Sequence, residues 1–249
     1  MRTEMDYTDL KDRCVAWIRD WFERNGKGCC AVLGMSGGKD STVAAALCAE
    51  ALGKDKVVGV AMPAEGQGLN DADRICEYLG IRYICAPIAD IIRGFDTVNA
   101  SFEESFSHQA EQNIPPRVRM AVLYAVSQTL NGRVVNTCNL SEDWVGYATR
   151  WGDSVGDFSP LGGLVVQEIR GIGHALGLPS EWVDKIPDDG LPHSCSDEQK
   201  FGFTYEVLDR YIRTGECEDE AIKEKIDRMH RNNLFKLSMP EQFIPTEKL

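Results

Sequence analysis

The chain has 249 residues and a formal net charge of −12. Proteins that bind nucleic acid in general need a basic face to neutralise phosphates, so this acidic chain is not expected to do so. No stretch approaches the roughly 18 apolar residues of a membrane span, and the N-terminus lacks the basic and then apolar pattern of a signal peptide. We therefore predict a cytoplasmic protein with no nucleic-acid and no membrane partner, and a local basic pocket is compatible with this charge.

The cysteines and the lack of linkers indicate the class of domain. Nine cysteines are an odd number, and none has the spacing of a zinc site or a dithiol redox motif. They are predicted to be reduced and mostly buried. Because no linker, repeat or low-complexity run interrupts the sequence, we predict one domain over residues 1–249, with a core at about 28–215 and a C-terminal helical tail at 216–249.

Helix and strand patterns alternate along the first half of the chain. Helices are predicted at residues 6–24, 42–52, 69–79, within 90–106 and at 115–130, and strands at residues 29–33, 56–61, 80–85 and 133–137. This alternation is typical of an α/β fold, a doubly wound parallel sheet with helices on both faces. Ligands of such sheets bind beyond the carboxyl ends of the strands, so the segments that follow the strands are the candidate site.

The segment after the first strand is a glycine-rich loop, Gly-Met-Ser-Gly-Gly-Lys-Asp-Ser at residues 34–41. Glycines let several backbone N–H groups converge on an anion at the start of the next helix, which predicts phosphate binding. The loop is neither a Walker loop, because of Leu33 and Asp40, nor a dinucleotide fingerprint, because of Ser36. Asp40 would repel a phosphate unless a divalent cation lay between them, which implies magnesium.

A second polar segment follows the fourth predicted strand, which ends at Thr137. Ser141 is predicted to cap a short helix with Glu142 in its first turn. The carboxyl ends of parallel strands share one edge of the sheet, so Glu142 is placed to share a magnesium ion with Asp40.

Two arginines, Arg117 and Arg119, lie near the start of the helix predicted at 115–130. Arginine at this end opposes the helix dipole, which is unfavourable unless an anion lies nearby. They are therefore candidates for binding an anionic substrate. Two solvated surface arginines are the alternative.

The loop at 34–41 resembles the pyrophosphate-binding loop of the N-type ATP pyrophosphatases, which split ATP between the α and β phosphates to adenylate an acceptor. With the later motifs, the chain resembles the ammonia-dependent NAD synthetases of that Rossmann-like superfamily. The matching motifs are Asn-x-x-x-Arg-x-Arg-Met at 113–120, Thr137 with Glu142 five residues later, Thr-Arg-x-Gly-Asp-x-x-x-Asp at 149–157 and Ser-Asp-Glu at 196–198. Their order and spacing cover nearly the whole chain.

The resemblance implies an activity and a role for each matched position. Mg-ATP would adenylate the nicotinate carboxylate of deamido-NAD, and free ammonia would then displace AMP to give NAD, in a homodimer. The residues that would bind ATP are Gly34, Met35, Ser36, Gly37, Gly38, Lys39, Asp40, Ser41, Met62 and Thr137. Magnesium would be bound by Asp40 and Glu142. Deamido-NAD would be bound by Arg117, Arg150 and Asp157, and by the tail pair His230 and Arg231 from across a dimer interface. Catalytic roles would fall to Ser36 and Lys39 in the loop and to Asp153, which would bind ammonium and help remove its proton.

Three positions depart from the family pattern. Val166 stands where a lysine would reach ATP, Asp188 where a serine or threonine is expected, and Ala61 where an arginine is expected. Lys39 or Arg170 is a candidate source of the missing positive charge.

Two other functions remain open at the sequence level. The chain could be another N-type ATP pyrophosphatase, such as a lysidine synthetase, a tRNA thiolase or the synthetase half of an amidotransferase, or an ATP-binding regulatory module without chemistry. The acidic charge and the lack of Cys-x-x-Cys argue against tRNA thiolation, and the retained acceptor residues argue against a sensor. The glycine-containing segment 149–160 is further predicted to be a lid that excludes water from the adenylate.

Overall fold

The computed structural model describes residues 5–66, 71–185 and 197–244. The helices are α1 (Tyr7–Asn25), α2 (Lys39–Leu52), α3 (Ala72–Leu79), α4 (Ala89–Asn99), α5 (His108–Thr129), α6 (Leu140–Val145), α7 (Val166–Ala175), α8 (Ser180–Val183), α9 (Asp197–Phe201), α10 (Tyr205–Thr214) and α11 (Glu220–Leu237). The strands are β1 (Cys30–Gly34), β2 (Val57–Ala61), β3 (Arg82–Cys85) and β4 (Gly132–Val134).

The four strands form one parallel sheet in the order β3-β2-β1-β4. Val32 of β1 is in register with Val58 of β2 on one side and with Val134 of β4 on the other. All five residues of β2 are buried, as expected for a central strand covered on both faces.

Helices cover both faces of this sheet, and alternate strand residues point to opposite sides. Leu33 lies in a core cluster with Ile18 of α1 and Ile169 of α7. Its neighbour Val32 lies in a second cluster with Val118 of α5. The predicted doubly wound α/β fold is therefore confirmed.

A third apolar cluster joins the C-terminal helices to α6 and α7. It contains Val145, Val166, Tyr205, Leu208 and Ile226, all of them buried. Ile226 belongs to α11, so part of the predicted tail contributes to a core. The division of the single domain into a core and a tail stays a prediction.

Several predicted boundaries, including those of α5 and β4, were wrong by three residues or more. Helix α5 begins at His108 rather than at residue 115, because the Ser107 side chain caps it by accepting from the Ala110 N–H, and Pro115 and Pro116 lie inside the helix. Strand β4 ends at Val134 rather than at residue 137. Val135 still donates to the Val32 carbonyl of β1 at 2.9 Å, but the chain there also pairs with a later segment, through a bridge between Val135 and Phe158.

The cysteines fit their prediction only in part. All eight that the structure describes are free thiols, but only Cys29, Cys48, Cys76 and Cys138 are buried. Cys195 lies outside the described residues. Within the described ranges, the structure contains no helix with the length and apolar character needed to cross a membrane.

Candidate active site

The strand order creates a crevice between two neighbouring carboxyl ends. β2 lies on one side of β1 and β4 on the other, so the chain connections diverge at the β1/β4 boundary. Ligands of doubly wound sheets bind at such a switch point. The loop at 35–38 follows β1, and the segment at 135–139 follows β4, which brings the two polar segments to the same edge of the sheet.

The glycine-rich loop has the backbone of an anion-binding turn. Gly37 has a φ of +76°, and Gly38 is the N-cap of α2 with no side chain capping the helix. The Ser36 hydroxyl spans the loop, accepting from the Gly38 N–H and lying 3.2 Å from the Ser41 hydroxyl. The positive end of a 14-residue helix therefore faces the crevice, as the phosphate prediction requires.

Two predicted ATP ligands point into the core. Met35 and Met62 are 4% and 7% exposed, and the Met35 N–H already donates to the Val60 carbonyl. Met62 packs over Gly34, where a Cβ would lie 3.3 Å from the Met62 methyl carbon. Any contact of these methionines with ATP is therefore restricted to the few atoms that reach the surface of the crevice. Thr137 is half-buried in the segment after β4.

Asp40 and Glu142, the two predicted magnesium ligands, lie close enough to repel each other. Burial raises the pKa of the half-buried Glu142 well above its usual value, and the Asp40 charge raises it further. Lys39, buried at 4% exposure, opposes this shift and donates to both Asp40 carboxylate oxygens at 2.7 Å. Two neighbouring carboxylates whose mutual repulsion a cation would relieve are suited to a divalent ion.

Asp40 and Glu142 are the only two carboxylates predicted to bind the magnesium ion. The described residues contain no cluster of three or more His, Cys, Asp or Glu side chains able to hold a metal. Two carboxylates, with phosphate oxygens and water completing the shell, are the ligand set that Mg²⁺ usually takes in nucleotide sites. The residues present therefore fit the predicted ion.

The predicted cap of α6 was wrong. Asn139, not Ser141, is the N-cap, and it forms a capping box with Glu142. Ser141 instead donates to the Asp209 carboxylate at 2.6 Å and accepts from the Val166 N–H, because these buried groups need partners. Sequence reasoning missed Asn139, although the spacing Asn-x-x-Glu is a capping-box signal.

The two described residues that depart from the family pattern are buried, and one candidate replacement for the missing charge is paired elsewhere. Val166 and Ala61 are 5% and 3% exposed, and Val166 belongs to the C-terminal apolar cluster. Arg170 forms an ion pair with Asp184, at 3.8 Å. Asp188 lies outside the described residues. Of the two candidate replacements for the missing charge, Lys39 is therefore the one that contacts an active-site carboxylate.

Asp153, the predicted ammonium ligand, contacts the buried Cys138, whose thiol donates to the Asp153 carbonyl at 3.3 Å. The residue is exposed overall and its carboxylate accepts from the Thr149 N–H at 2.7 Å, while desolvation raises its pKa. The positive charge of Arg119 lowers the pKa of Asp153, and Arg119 Nε donates to the Met62 carbonyl at 3.2 Å. Arg119 thus lies between the end of β2 and Asp153.

Four carboxylates lie near enough to the Cys138 thiol to affect its pKa, and the thiol donates to the Asp153 carbonyl at 3.3 Å. Burial raises its pKa well above the usual value, and the same shift is increased by Glu142, Asp153, Asp143 and Asp40. The two predicted subsites, for magnesium and for ammonium, are therefore adjacent. Asp143 was missed by sequence reasoning, although it follows Glu142 directly; desolvation and the Asp153 charge raise its pKa to about 6.

The predicted acceptor arginines contact other parts of this chain. Arg117 donates to the Arg150 carbonyl at 3.4 Å. The Arg150 guanidinium donates to the Ser238 carbonyl at 3.1 Å and lies 5.1 Å from the Trp151 ring centre and 5.3 Å from that of Phe235. Arg150 is therefore covered by the C-terminal end of α11 and by Ser238, which follows it.

Asp157 and the tail pair also have structural contacts. The Asp157 carboxylate accepts from the Val134 N–H at 2.7 Å and from the Tyr124 hydroxyl at 3.4 Å. His230 stacks on Trp144 of the same chain, with ring centres 4.0 Å apart, while Arg231 is exposed. The predicted roles of Asp157, His230 and Arg231 in binding deamido-NAD stay predictions.

The structure does not support a lid that includes the whole segment 149–160. Phe158 is buried and its carbonyl accepts from the Asn136 N–H at 2.8 Å. A Cβ at Gly156 would lie 2.6 Å from the same backbone nitrogen, so this part packs directly on the segment after β4. The lid prediction stays only for residues 149–155, which form turns at the surface.

Comparisons with known proteins agree with this geometry. The chain matches the family model described as NAD synthase over residues 10–243. The NH(3)-dependent NAD(+) synthetase of Methanococcus aeolicus is 38% identical over 193 residues, which cover 76% of this chain and 75% of that protein. The protein of the same name from Carboxydothermus hydrogenoformans is 33% identical over 247 residues, which cover 95% of this chain and 98% of its own.

Comparisons with solved structures agree with the match to the family model. The NMN synthetase from Francisella tularensis superposes with a TM-score of 0.87 at 27% identity, covering 98% of this chain and 100% of that one. The NH3-dependent NAD synthetase from Campylobacter jejuni superposes with a TM-score of 0.77 at 28% identity, covering 97% and 100%. The predicted family is confirmed by the model match and by relatives aligned over most of their length: this chain belongs to the NAD synthase family.

Proposed function

We propose that this protein is an ammonia-dependent NAD synthetase, a ligase that adenylates deamido-NAD with ATP and then forms the amide of NAD from ammonia. The observation that carries the proposal is that the neighbours Cys138 and Asn139 bring three groups together. Asn139 donates to Asp40 beside the phosphate loop and to the second carboxylate, Glu142, and the Cys138 thiol donates to the Asp153 carbonyl. ATP activation needs the first two, and an amine acceptor step needs the third.

The first step is nucleophilic attack by the nicotinate carboxylate on the α-phosphorus of ATP. The Ser36 hydroxyl and the backbone N–H groups at the start of α2 would contact the departing pyrophosphate, and Lys39 would turn from Asp40 to its oxygens. Magnesium, held by Asp40 and Glu142, would supply charge neutralisation of the triphosphate. No protein nucleophile is needed, which agrees with the raised pKa of the Cys138 thiol.

The second step replaces AMP by nitrogen. At neutral pH most ammonia is ammonium, so a carboxylate is needed to bind the cation and assist loss of its proton. Asp153 has this role in the proposal, with Arg119 orienting it and the neighbouring Asp143 adding negative charge. Attack of the neutral amine on the acyl carbon then expels AMP.

The acceptor is proposed to lie against Arg117, Arg150 and Asp157, and the protein to work as a cytoplasmic homodimer. The end of the chain offers a surface for self-association: Phe235, Met239 and Phe243 are 58%, 77% and 93% exposed. Sedimentation equilibrium tests the dimer, and a monomer at micromolar concentration would contradict it.

The activity is tested by incubating the protein with ATP, Mg²⁺, deamido-NAD and ammonium chloride. We expect NAD, AMP and pyrophosphate in equal amounts, with no AMP when deamido-NAD is omitted. Hydrolysis of ATP without amidation, or AMP formation only with a different acceptor, would contradict the proposal and favour another enzyme with this loop. Binding of ATP without any AMP would favour a regulatory module.

A second candidate acceptor is nicotinate mononucleotide, which presents the same pyridine carboxylate on a shorter molecule. The observation in its favour is the TM-score of 0.87 with a protein described as an NMN synthetase, against 0.77 with an NAD synthetase. The sequence relatives, at 33–38% identity, favour deamido-NAD. The ratio of kcat/KM for the two acceptors decides between them.

A further inference from the structure

A single buried asparagine connects the two magnesium carboxylates. Asn139 is 0% exposed, and its side-chain amide is used at both ends. Oδ1 accepts from the Glu142 N–H at 3.0 Å, and Nδ2 donates to Asp40 Oδ1 at 3.2 Å. The Asn139 backbone N–H adds a bond to Glu142 Oε2 at 3.4 Å. Asn139 therefore contacts Asp40 and Glu142 at once, although 99 residues separate it from Asp40.

The orientation of the amide follows from these contacts. If it were reversed, its oxygen would face the Asp40 carboxylate and its NH₂ group would face the Glu142 N–H, so acceptor would meet acceptor and donor would meet donor. Serine and aspartate cap a helix about as well as asparagine does, but neither offers an amide donor on the far side of the cap. Helix capping alone therefore does not explain an asparagine here.

We propose that Asn139 is a positioning residue, which fixes Asp40 of α2 relative to Glu142 of α6 so that both carboxylates can bind one magnesium ion. The inference rests on the proposed function for the identity of the ion. The two carboxylates repel each other, and each could relieve the repulsion by turning into solvent. The amide opposes this, because its cap to Glu142 fixes the oxygen and thereby directs the nitrogen at Asp40.

The test separates two roles of the Asn139 side chain, helix capping by its oxygen and donation to Asp40 by its nitrogen. Asn139→Ser keeps a capping oxygen and loses the donor, Asn139→Asp keeps the cap and turns a second carboxylate towards Asp40, and Asn139→Ala loses both. Metal affinity is measured with Mn²⁺ by electron paramagnetic resonance on the full-length protein with ATP, without acceptor or ammonium, and stability by thermal unfolding. Steady-state kinetics then give KM for Mg²⁺, ATP, deamido-NAD and ammonium separately.

Asn136→Ser is the matched control. Asn136 is a buried asparagine in the same segment, 8% exposed, and its side chain accepts from the Cys138 N–H at 2.8 Å. Its other partners are the Asp153 carbonyl and the Ser159 hydroxyl, and neither is a carboxylate oxygen. The same substitution there therefore removes an amide without touching the proposed link.

We expect Asn139→Ser to weaken Mn²⁺ binding by about tenfold and to raise KM for Mg²⁺ to match, while KM for deamido-NAD and ammonium changes by less than about twofold. Asn139→Asp should bind the metal but gain more thermal stability from it than the wild type does. Unchanged Mn²⁺ affinity in Asn139→Ser, or an equal loss in Asn136→Ser, would overturn the proposal. Because metal binding is measured without an acceptor, failure of the protein to make NAD would count against the proposed function alone.

Discussion

The two halves of the active site are built differently. On the ATP side, the charged groups Lys39 and Asp40 and the amide of Asn139 are buried or half-buried and bonded to one another. On the acceptor side, Arg117 is exposed and Arg150 contacts the end of the chain. The ATP side is therefore preorganised by the core, whereas the acceptor side depends on loops and on the tail. Differences between family members in acceptor choice are expected to arise in the second half.

The largest effect is expected from removing both magnesium carboxylates on the preorganised side. Asp40→Asn combined with Glu142→Gln should lower AMP formation by about a thousandfold or more, because no hard anionic ligand would remain for the ion. AMP is measured by chromatography under saturating substrates. Asp20→Asn, which removes an exposed carboxylate paired with Arg24 on α1, is the control and should leave the rate unchanged. Equal rates in the double variant and the control would refute the division into two halves.

A smaller effect is expected at the boundary between the halves. Asp153→Asn should slow NAD formation by about 10- to 100-fold while leaving adenylation, measured as pyrophosphate exchange without ammonium, within about threefold. Amidation needs the carboxylate, and adenylation does not. Since Asp153 also accepts from the Thr149 N–H, thermal unfolding must first show that the variant is folded. An equal loss in both half-reactions would mean that Asp153 serves the ATP side as well.

On the acceptor side, the contact between Arg150 and Phe235 predicts that substitutions at these two residues change KM for the acceptor in opposite directions. Arg150→Ala should raise KM for the acceptor by about tenfold and leave KM for ATP unchanged. Phe235→Ala removes one of the rings beside Arg150 and should lower the acceptor KM by about two- to threefold, because the tail competes for the guanidinium. The neighbouring Leu234→Ala is the control. If Phe235→Ala instead raised KM, the tail would be part of the acceptor site.

The smallest effect concerns stability. Because the pKa of Asp143 is raised to about 6, protonation of its carboxyl favours the folded state. Its contribution is greatest below about pH 4, the value of an unfolded aspartate, and is lost as the pH rises through 6. Asp143→Asn should therefore stabilise the protein by on the order of 1 kcal/mol near pH 8 and have little effect near pH 4. Thermal unfolding at both values checks this, and a destabilised variant at pH 8 would contradict it.

The sequence was most informative where neighbouring residues decide the structure. The strand, glycine-rich turn and helix at 29–52 follow from apolar runs and glycines, and their positions agree with β1 and α2 to within a few residues. The start of α5 was missed because the prolines at 115 and 116 suggested a beginning that the Ser107 cap provides earlier.

Long-range contacts account for what sequence reasoning missed at the site. Ser141 and Asn139 can both cap a helix, and the choice depends on Asp209, a buried carboxylate far along the chain that needs the Ser141 hydroxyl. The contact between Arg150 and Ser238 likewise depends on where α11 ends in space. Neither contact can be predicted from residues that are neighbours in the sequence.

The ion pair between Lys39 and Asp40 has a consequence for assembly of the enzyme. Because the lysine ammonium already balances the aspartate, the nucleotide pocket can form during folding without waiting for a divalent ion. A chelator is then expected to stop turnover while leaving the protein folded, with only the fall in melting temperature that loss of a bound ion causes. Exchange of one cation for another, rather than order and disorder of the chain, would then switch the enzyme on.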